Sequence, residues 1–516
     1  MKKIIWLLTF LISTAYAATP LWTFTPIGST SVRILPGDIQ YIQYQVTNQS
    51  IKTHTLAYQA IPGVNQITTS ANNCKTPFVL GYQQYCVLNL QVVGSQIQSN
   101  ITSGPVVCEQ NGPGLQCYQP SVANQLNIQL LTTLAISPTT TSSTPFGLAA
   151  SGNPRQMTVT NTGRVSAVGL SLTNNLPAGT SIINDLCTGI TLQPGSSCTF
   201  NIKPGAIVSS NSSGALCTTG VTPTPGTVIA SATNSSQTVA AIAASTAYAV
   251  ILNYGCIYQG GYIYAINDNQ GCAQGGTCTG GIGGKVVTTT DQPSNLATII
   301  WSSNGTQGNS NYSLDLIPFI TETSSPTSSY DAAKTYFNLN YVNTLTSPFP
   351  PQSAFAICAG ALDGQCNSNN ILAFYNTYKT NYHQFSDNTL SPGPTDTTYY
   401  AAGLCKATIS GYSDWYLPAI CEMGYTTDAT NFNAGCGTKS NPTLQNIQSN
   451  LIATDIITIS YPNDYWSSTE SLLSAPNPAS GAWSQQFSAT DNFVDQHPVG
   501  KGNITSRVRC SRALTS

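Results

Sequence analysis

The chain has 516 residues, a length that predicts about three domains, and a hydrophobic content of 41% is enough to build their cores. Only 7% of residues are charged, the formal net charge is −2 and there is no basic run; this excludes nucleic acid as a partner and long-range steering toward a strongly charged one. Hydroxyl and amide side chains with glycine dominate the remainder.

The first element is MKKIIWLLTFLISTAYAATP, in which Lys2 and Lys3 precede an apolar run from Ile4 to Ile12 and Ala15-Tyr16-Ala17 forms a small-residue cleavage site. That pattern predicts a signal peptide over 1–17. The apolar run is far below the roughly 20 residues of a membrane span. The mature chain is therefore expected to be exported, without a transmembrane segment, and to reside outside the cell, on its surface or in the periplasm. In such a compartment sixteen cysteines, an even number, read as disulfides. Cys272 and Cys278 are not backed by a second close pair or a histidine pair, so no metal and no cofactor are expected.

A repeat follows. QVTNQS (45–50) aligns with TVTNTG (158–163) at an offset of 113, which also carries Cys74 onto Cys187; one residue shorter, it carries Cys86 onto Cys198. Each copy alternates apolar and polar residues over short stretches, YIQYQVTN and CVLNLQVVG in the first, QMTVTN and CTFNI in the second, with turn residues between. Alternation of this length predicts two antiparallel β-sandwiches, 18–130 and 131–245. SPTTTSSTP (137–145) reads as a loop after the first strand of the second copy.

VTNTG, Cys187 and LQPGSSCTFNI (192–202) together resemble bacterial immunoglobulin-like domains of the abnormal-spindle and choice-of-anchor type. The resemblance implies a strand beginning at Pro194-Gly195 whose Cys198 ties back to Cys187, and by the repeat Cys74 to Cys86. Cys108 with Cys117 makes a second bridge in the first copy. Cys217 is left over, either to bridge into the following region or to remain a free thiol.

From residue 251 aromatic residues become denser and helical patterns appear, notably 399–409 and 442–452, which predicts an α+β unit. YQGGYIYAINDN (258–269), GGKVVTTTDQ (283–292), IIWSS (299–303), AAGLCKATISGYSDWYLPAICEM (401–423), DYWSSTE (464–470), AWSQQF (482–487) and RVRCSR (507–512) occur in order. Together they resemble the C-terminal domain family of the Legionella collagen-like adhesin over 251–516. The resemblance implies a C-type-lectin-like fold and, for the adhesin itself, binding of sulfated host glycans and self-association. This chain lacks the Gly-X-Y tract of that adhesin and is poor in lysine and arginine.

The expected architecture is thus multidomain and disulfide-rich: two immunoglobulin-like sandwiches followed by a lectin-like α+β domain. Candidate ligand residues are the aromatic and polar set Tyr465, Trp466, Ser468 and Glu470, and the basic tail set Lys501, Arg507 and Arg509. Sugar rings stack on aromatics while their hydroxyls bond polar groups, and alternation in a strand places Arg507 and Arg509 on one face. Asp464, Glu470 and Asp491 are able to supply oxygen ligands to calcium, as in some C-type lectins, but match no lectin calcium motif closely, which leaves calcium open. The three histidines, His54, His383 and His497, sit beside no nucleophile motif, so no enzyme is expected. Cys421 and Glu422, in GYSDWYLPAICEMGY, read as a disulfide partner and a first-turn carboxylate at a strand-to-helix corner. The expected function is adhesion through a glycan or host surface protein, with a structural envelope protein as the alternative.

Overall fold

The computed structural model describes residues 20–515 except 111–115, 210–216, 218–220, 235–242, 275–276, 295–297, 302–315, 324–329, 336–348, 378–399, 429–431, 460–463, 474–480, 491–492 and 504. The expected signal peptide, His383 and Asp491 lie outside the described residues.

The first unit contains β1 (Trp22–Ile27), β2 (Ser31–Ile34), β3 (Ile39–Asn48), β4 (His54–Tyr58), β5 (Val64–Ile67), β6 (Phe78–Leu80), β7 (Tyr85–Val93), β8 (Val107–Glu109), β9 (Cys117–Tyr118) and β10 (Asn127–Leu130). One sheet runs β1-β3-β7-β5 and the other β6-β4-β8-β9, while β2 pairs with β10. The strand IQYIQYQVTN buries every second residue from Ile42 to Asn48 and turns the intervening glutamines and Thr47 outward, as the period of two requires. The buried set meets Leu56, Phe78 and Val107 from the other sheet around Trp22, so the two sheets enclose one core.

The second unit repeats the plan with β11 (Leu134–Ser137), β12 (Phe146–Ala149), β13 (Arg155–Asn161), β14 (Ala167–Asn175), β15 (Ser181–Ile183), β16 (Ser197–Lys203), β17 (Gly226–Asn234) and β18 (Ala243–Leu252). Its sheets are β11-β13-β16-β15 and β12-β18-β17-β14. Val46 of β3 lies opposite Cys86 of β7, and Val159 of β13 lies opposite Cys198 of β16. The sequence offset is therefore a shared strand register.

The third unit mixes sheets with short helices. It contains β19 (Ile257–Tyr258), β20 (Gly261–Asn267), β21 (Gly283–Thr288), β22 (Gly437–Thr438), β23 (Asn441–Pro442), β24 (Asp464–Ser471), β25 (Gly481–Gln486), β26 (Asp495–Gly500) and β27 (Ser511–Ala513). The larger sheets are β19-β20-β21-β27 and β24-β25-β26. Helices occupy Gly364–Thr377, Ala401–Leu404 and Ile420–Met423. The helix expected over 442–452 is reduced to a π-turn at Gln448–Ile452, because Pro442 is held in the β22-β23 pair. Among the described residues no helix is long and apolar enough to cross a membrane.

All cysteines are bonded: Cys74–Cys86, Cys108–Cys117, Cys187–Cys198, Cys217–Cys256, Cys272–Cys278, Cys358–Cys366, Cys405–Cys510 and Cys421–Cys436. Cys217 bridges into the third unit and is not a free thiol.

Two arginines tie the units together. The Arg164 guanidinium donates to the carbonyls of Ser95 (2.7 Å) and Ile97 (3.2 Å) in the first unit. Arg155 is fully buried, and its guanidinium donates to the carbonyls of Asp268 (2.5 Å), Gln270 (2.7 Å), Gly281 (3.0 Å) and Gly280 (3.1 Å) in the third. A planar fork of donors suits a loop that turns several carbonyls inward, and the Cys272–Cys278 bridge closes that loop.

Candidate functional site

The residues expected to meet a ligand lie in the interior. Tyr465 (1% exposed), Trp466, Ser468 and Glu470 (0%) belong to β24, which is covered on both faces; Lys501 is at 0%, Arg507 at 5% and Arg509 at 7%. Their charges are satisfied by one another. The Glu470 carboxylate accepts from the Lys501 ammonium (2.5 Å) and the Ile317 N–H (3.0 and 3.1 Å), and that ammonium lies 4.7 Å from the centre of the Trp301 ring. Asp291 accepts from Arg509 Nε (2.7 Å), Arg507 Nη1 (3.3 Å) and the Tyr465 hydroxyl (3.0 Å).

Arg507 and Arg509 do converge on one carboxylate, but on an internal one. The tail threads the core, with Val508 and Cys510 also at 0% exposure, so alternation there separates two buried faces rather than core from solvent. Seven residues read as an exposed ligand surface are thus corrected to a buried framework. The indoles belong to it as well: Trp301 donates to Ser467 O (2.6 Å), Trp466 to Ile299 O (2.7 Å) and Trp415 to Ile409 O (2.9 Å).

The corner in GYSDWYLPAICEMGY is equally closed. Glu422 accepts from the Ala419 N–H (2.8 Å) and the Tyr416 hydroxyl (3.1 Å), and pairs with Lys285. Burial raises its carboxyl above the ordinary value, with Lys285 opposing the shift, and burial likewise pushes the Tyr416 and Tyr264 phenols well up. Cys421 is bonded to Cys436. Elsewhere His54 contacts Glu109 (2.6 Å) in the first unit, and His497 stands between Asp495 (3.6 Å) and Asp464 (3.7 Å). Among the described residues no cluster of three metal-ligating side chains fits an ion.

An open concavity lies instead where the second and third units meet. It is a cleft of about 610 Å³. One wall is the β11-β12 loop, with Thr139, Ser142, Ser143 and Thr144 set between Pro138 and Pro145. Beside it run Thr222, Pro223 and Pro225, and the opposite wall carries Tyr258, Gln259, Gly260, Tyr412 and Thr515. Among the described residues no aspartate, glutamate, lysine, arginine or histidine lines it.

Local chemistry holds each wall. In the loop the Thr141 hydroxyl pairs with those of Thr144 (2.7 Å) and Ser143 (2.9 Å) and accepts from the Thr144 N–H, a side-chain-made turn. Thr140 Oγ1 accepts from the Tyr248 N–H (2.7 Å), fastening the loop to β18. Opposite, the β19-β20 turn needs glycine at 260, where φ is +89° and an added Cβ would stand 2.9 Å from the Tyr412 ring. Gln259 Oε1 accepts from Arg512 (3.1 Å) and from the Thr515 N–H (2.9 Å). Arg512 in turn stacks on Tyr412 at 3.9 Å and pairs with Asp414 (2.5 Å). The Tyr258 hydroxyl crosses the seam to Pro145 O (2.9 Å), and burial raises its phenol above the usual value.

Sequence reading passed over this cleft, although one signal was available. The β1-β2 turn has three residues, 28–30, whereas its counterpart between β11 and β12 has eight, 138–145, dense in hydroxyls. An enlarged loop on a repeated scaffold is where recognition residues concentrate.

No family model matches the sequence, and no curated protein does. Solved structures similar to part of the chain include DIP-gamma IG1+IG2 at 10% identity (45% of this chain, 99% of that one, TM-score 0.20). Titin domains z1z2 in complex with telethonin match at 14% (45% and 95%, TM-score 0.16). A protein of unknown function from Porphyromonas gingivalis W83 matches at 12% (45% and 100%, TM-score 0.17). TM-scores this low carry no statement about fold or function.

Proposed function

We propose that the chain is an exported, non-enzymatic recognition protein of the adhesin type. In this reading two immunoglobulin-like sandwiches present a lectin-like C-terminal unit similar to that of the Legionella collagen-like adhesin family, and the ligand is a glycan or a host surface protein. Eight disulfides support an oxidising compartment. The observation that carries recognition is the uncharged, tyrosine- and hydroxyl-lined cleft between units two and three. Its volume falls in the range of about 300–1,000 Å³ typical of sites that enclose a small ligand.

The test is adhesion of full-length, disulfide-bonded protein to host cells, comparing wild type with Ser142→Trp, which fills the cleft from an exposed loop position. Loss of adhesion at unchanged thermal stability supports the reading. Wild-type adhesion by the variant removes the cleft as the site, and no adhesion by wild type removes the adhesin function. In that last outcome the structural envelope role stands.

A further inference from the structure

Resting on that reading, we infer that the cleft takes an uncharged oligosaccharide and not the sulfated glycan that the family resemblance implies. A sulfate bound in a cleft needs charge-assisted donors, most often arginine or lysine. Among the described residues this cleft has none on its walls. Two buried guanidiniums touch wall residues: Arg512 is paired with Asp414, stacked on Tyr412 and hydrogen-bonded to Gln259, and Arg155 donates to the carbonyls of Gly280 and Gly281. Both hold the walls from behind, with their donors engaged by protein partners.

What the walls do offer matches a neutral sugar. The exposed loop residues Thr139 and Ser142 supply hydroxyls able to donate and accept, as ring hydroxyls require, and Ser143 and Thr144 stand beside them, each sharing one bond with Thr141. Across from them stand the half-buried rings of Tyr258 and Tyr412, with Pro223 and Pro225 alongside, which suit the apolar C–H surfaces of a sugar. Both faces of a pyranose thus find chemistry of their own kind. Neutral hydrogen bonds are individually weak, so binding is weak per site and insensitive to salt.

Because the walls come from two units, their spacing depends on the seam. Cys217–Cys256, the Arg155 grip and the Tyr258-to-Pro145 hydrogen bond hold it at fixed width.

The experiment uses full-length, disulfide-bonded protein with maltotriose, cellotriose and chitotriose as neutral probes and a heparin tetrasaccharide as the sulfated one. Each is titrated at 50 and 500 mM NaCl against wild type, Ser142→Trp and Ser142→Lys. Expected is binding of at least one neutral probe that changes less than about twofold with salt. Ser142→Trp should weaken it at least tenfold, and Ser142→Lys, which removes the hydroxyl and its acceptor from the wall, should weaken it at least threefold; the lysine variant keeps the test open where the tryptophan variant does not fold. Preferential heparin binding that weakens tenfold or more with salt and is lost in Ser142→Trp overturns the inference and leaves the cleft as the recognition site. Loss of host-cell adhesion in Ser142→Trp without binding of any neutral probe does the same. Neutral-sugar binding unchanged in folded Ser142→Trp overturns the cleft itself.

Discussion

Asn48 and Asn161 occupy the same place in two different sandwiches. Each is fully buried, and each side-chain amide donates to the carbonyl four residues on, Lys52 (2.8 Å) or Val165 (2.9 Å), and to a distant one, Leu80 or Leu192 (both 2.8 Å). Each side-chain oxygen accepts the N–H two residues on, from Ser50 (2.8 Å) or Gly163 (2.9 Å). Replacing either by alanine strands buried carbonyls and is expected to cost about 1–3 kcal/mol per orphaned group. Aspartate is expected to be worse than alanine, since its oxygen would face two carbonyls. Denaturant unfolding of Asn161→Ala and Asn161→Asp checks this, and an aspartate variant as stable as wild type refutes it.

The Glu470–Lys501 pair is expected to behave as framework. Lys501→Met leaves the Glu470 carboxylate buried without its cation, a loss of about 3–5 kcal/mol, and the double change Glu470→Gln with Lys501→Met should recover part of it. A double-mutant cycle by thermal unfolding measures the coupling. Arg507→Ala likewise should lower stability and leave the affinity of folded protein unchanged.

Arg155→Lys keeps the charge and removes the fork. Four carbonyls and Asp268 then face a single ammonium, so the loop 268–281 should exchange its amides at least tenfold faster while the first unit stays protected. Hydrogen exchange read by mass spectrometry tests it; unchanged protection over 268–281 would sink the idea.

Disulfide removal should follow loop length. The Cys405–Cys510 bridge spans 105 residues and its loss is expected to cost about 4.7 kcal/mol on the chain-entropy account, against about 2 kcal/mol for Cys272–Cys278, which spans 6. Paired serine substitutions and unfolding midpoints give the order, which a smaller loss for Cys405–Cys510 reverses.

Glu422 makes a pH prediction whose sign follows from its burial. Its folded value is raised, so the folded protein holds the proton more tightly than the unfolded chain. That contribution is fully present below the unfolded value, about 4.3, and is lost as pH rises through the folded one. Glu422→Gln should therefore flatten the decline in Tm across the weakly acidic range. A wild-type-minus-variant difference that is constant from pH 4 to 7 contradicts this.

Much of the β architecture was legible because alternation and repetition are local signals. VTN recurs with cysteines at matching offsets, and β3 and β13 carry those residues in one register. The ligand surface was misread because alternation reports two faces without saying whether either is wet. In β24 and in the tail through Arg507 and Arg509 both faces are dry, and charge is paid for by a partner distant in sequence, Asp291. Low overall charge hid the fact that so many of the ionic groups face inward. The cleft escaped notice because its walls come from segments more than a hundred residues apart, and only the enlarged 138–145 loop marked one of them.

Arg155 opens β13 and Arg164 lies in the turn just beyond its end, so a single strand carries the grip on the third unit at one end and the grip on the first at the other. Load passing between the outer units is therefore shared between that strand and the covalent path through β18 and the Cys217–Cys256 bridge. β13 is also central, hydrogen-bonded to β11 on one side and β16 on the other. The second sandwich is in this sense a strut, and part of the load applied at one end of the molecule is borne by its best-supported element.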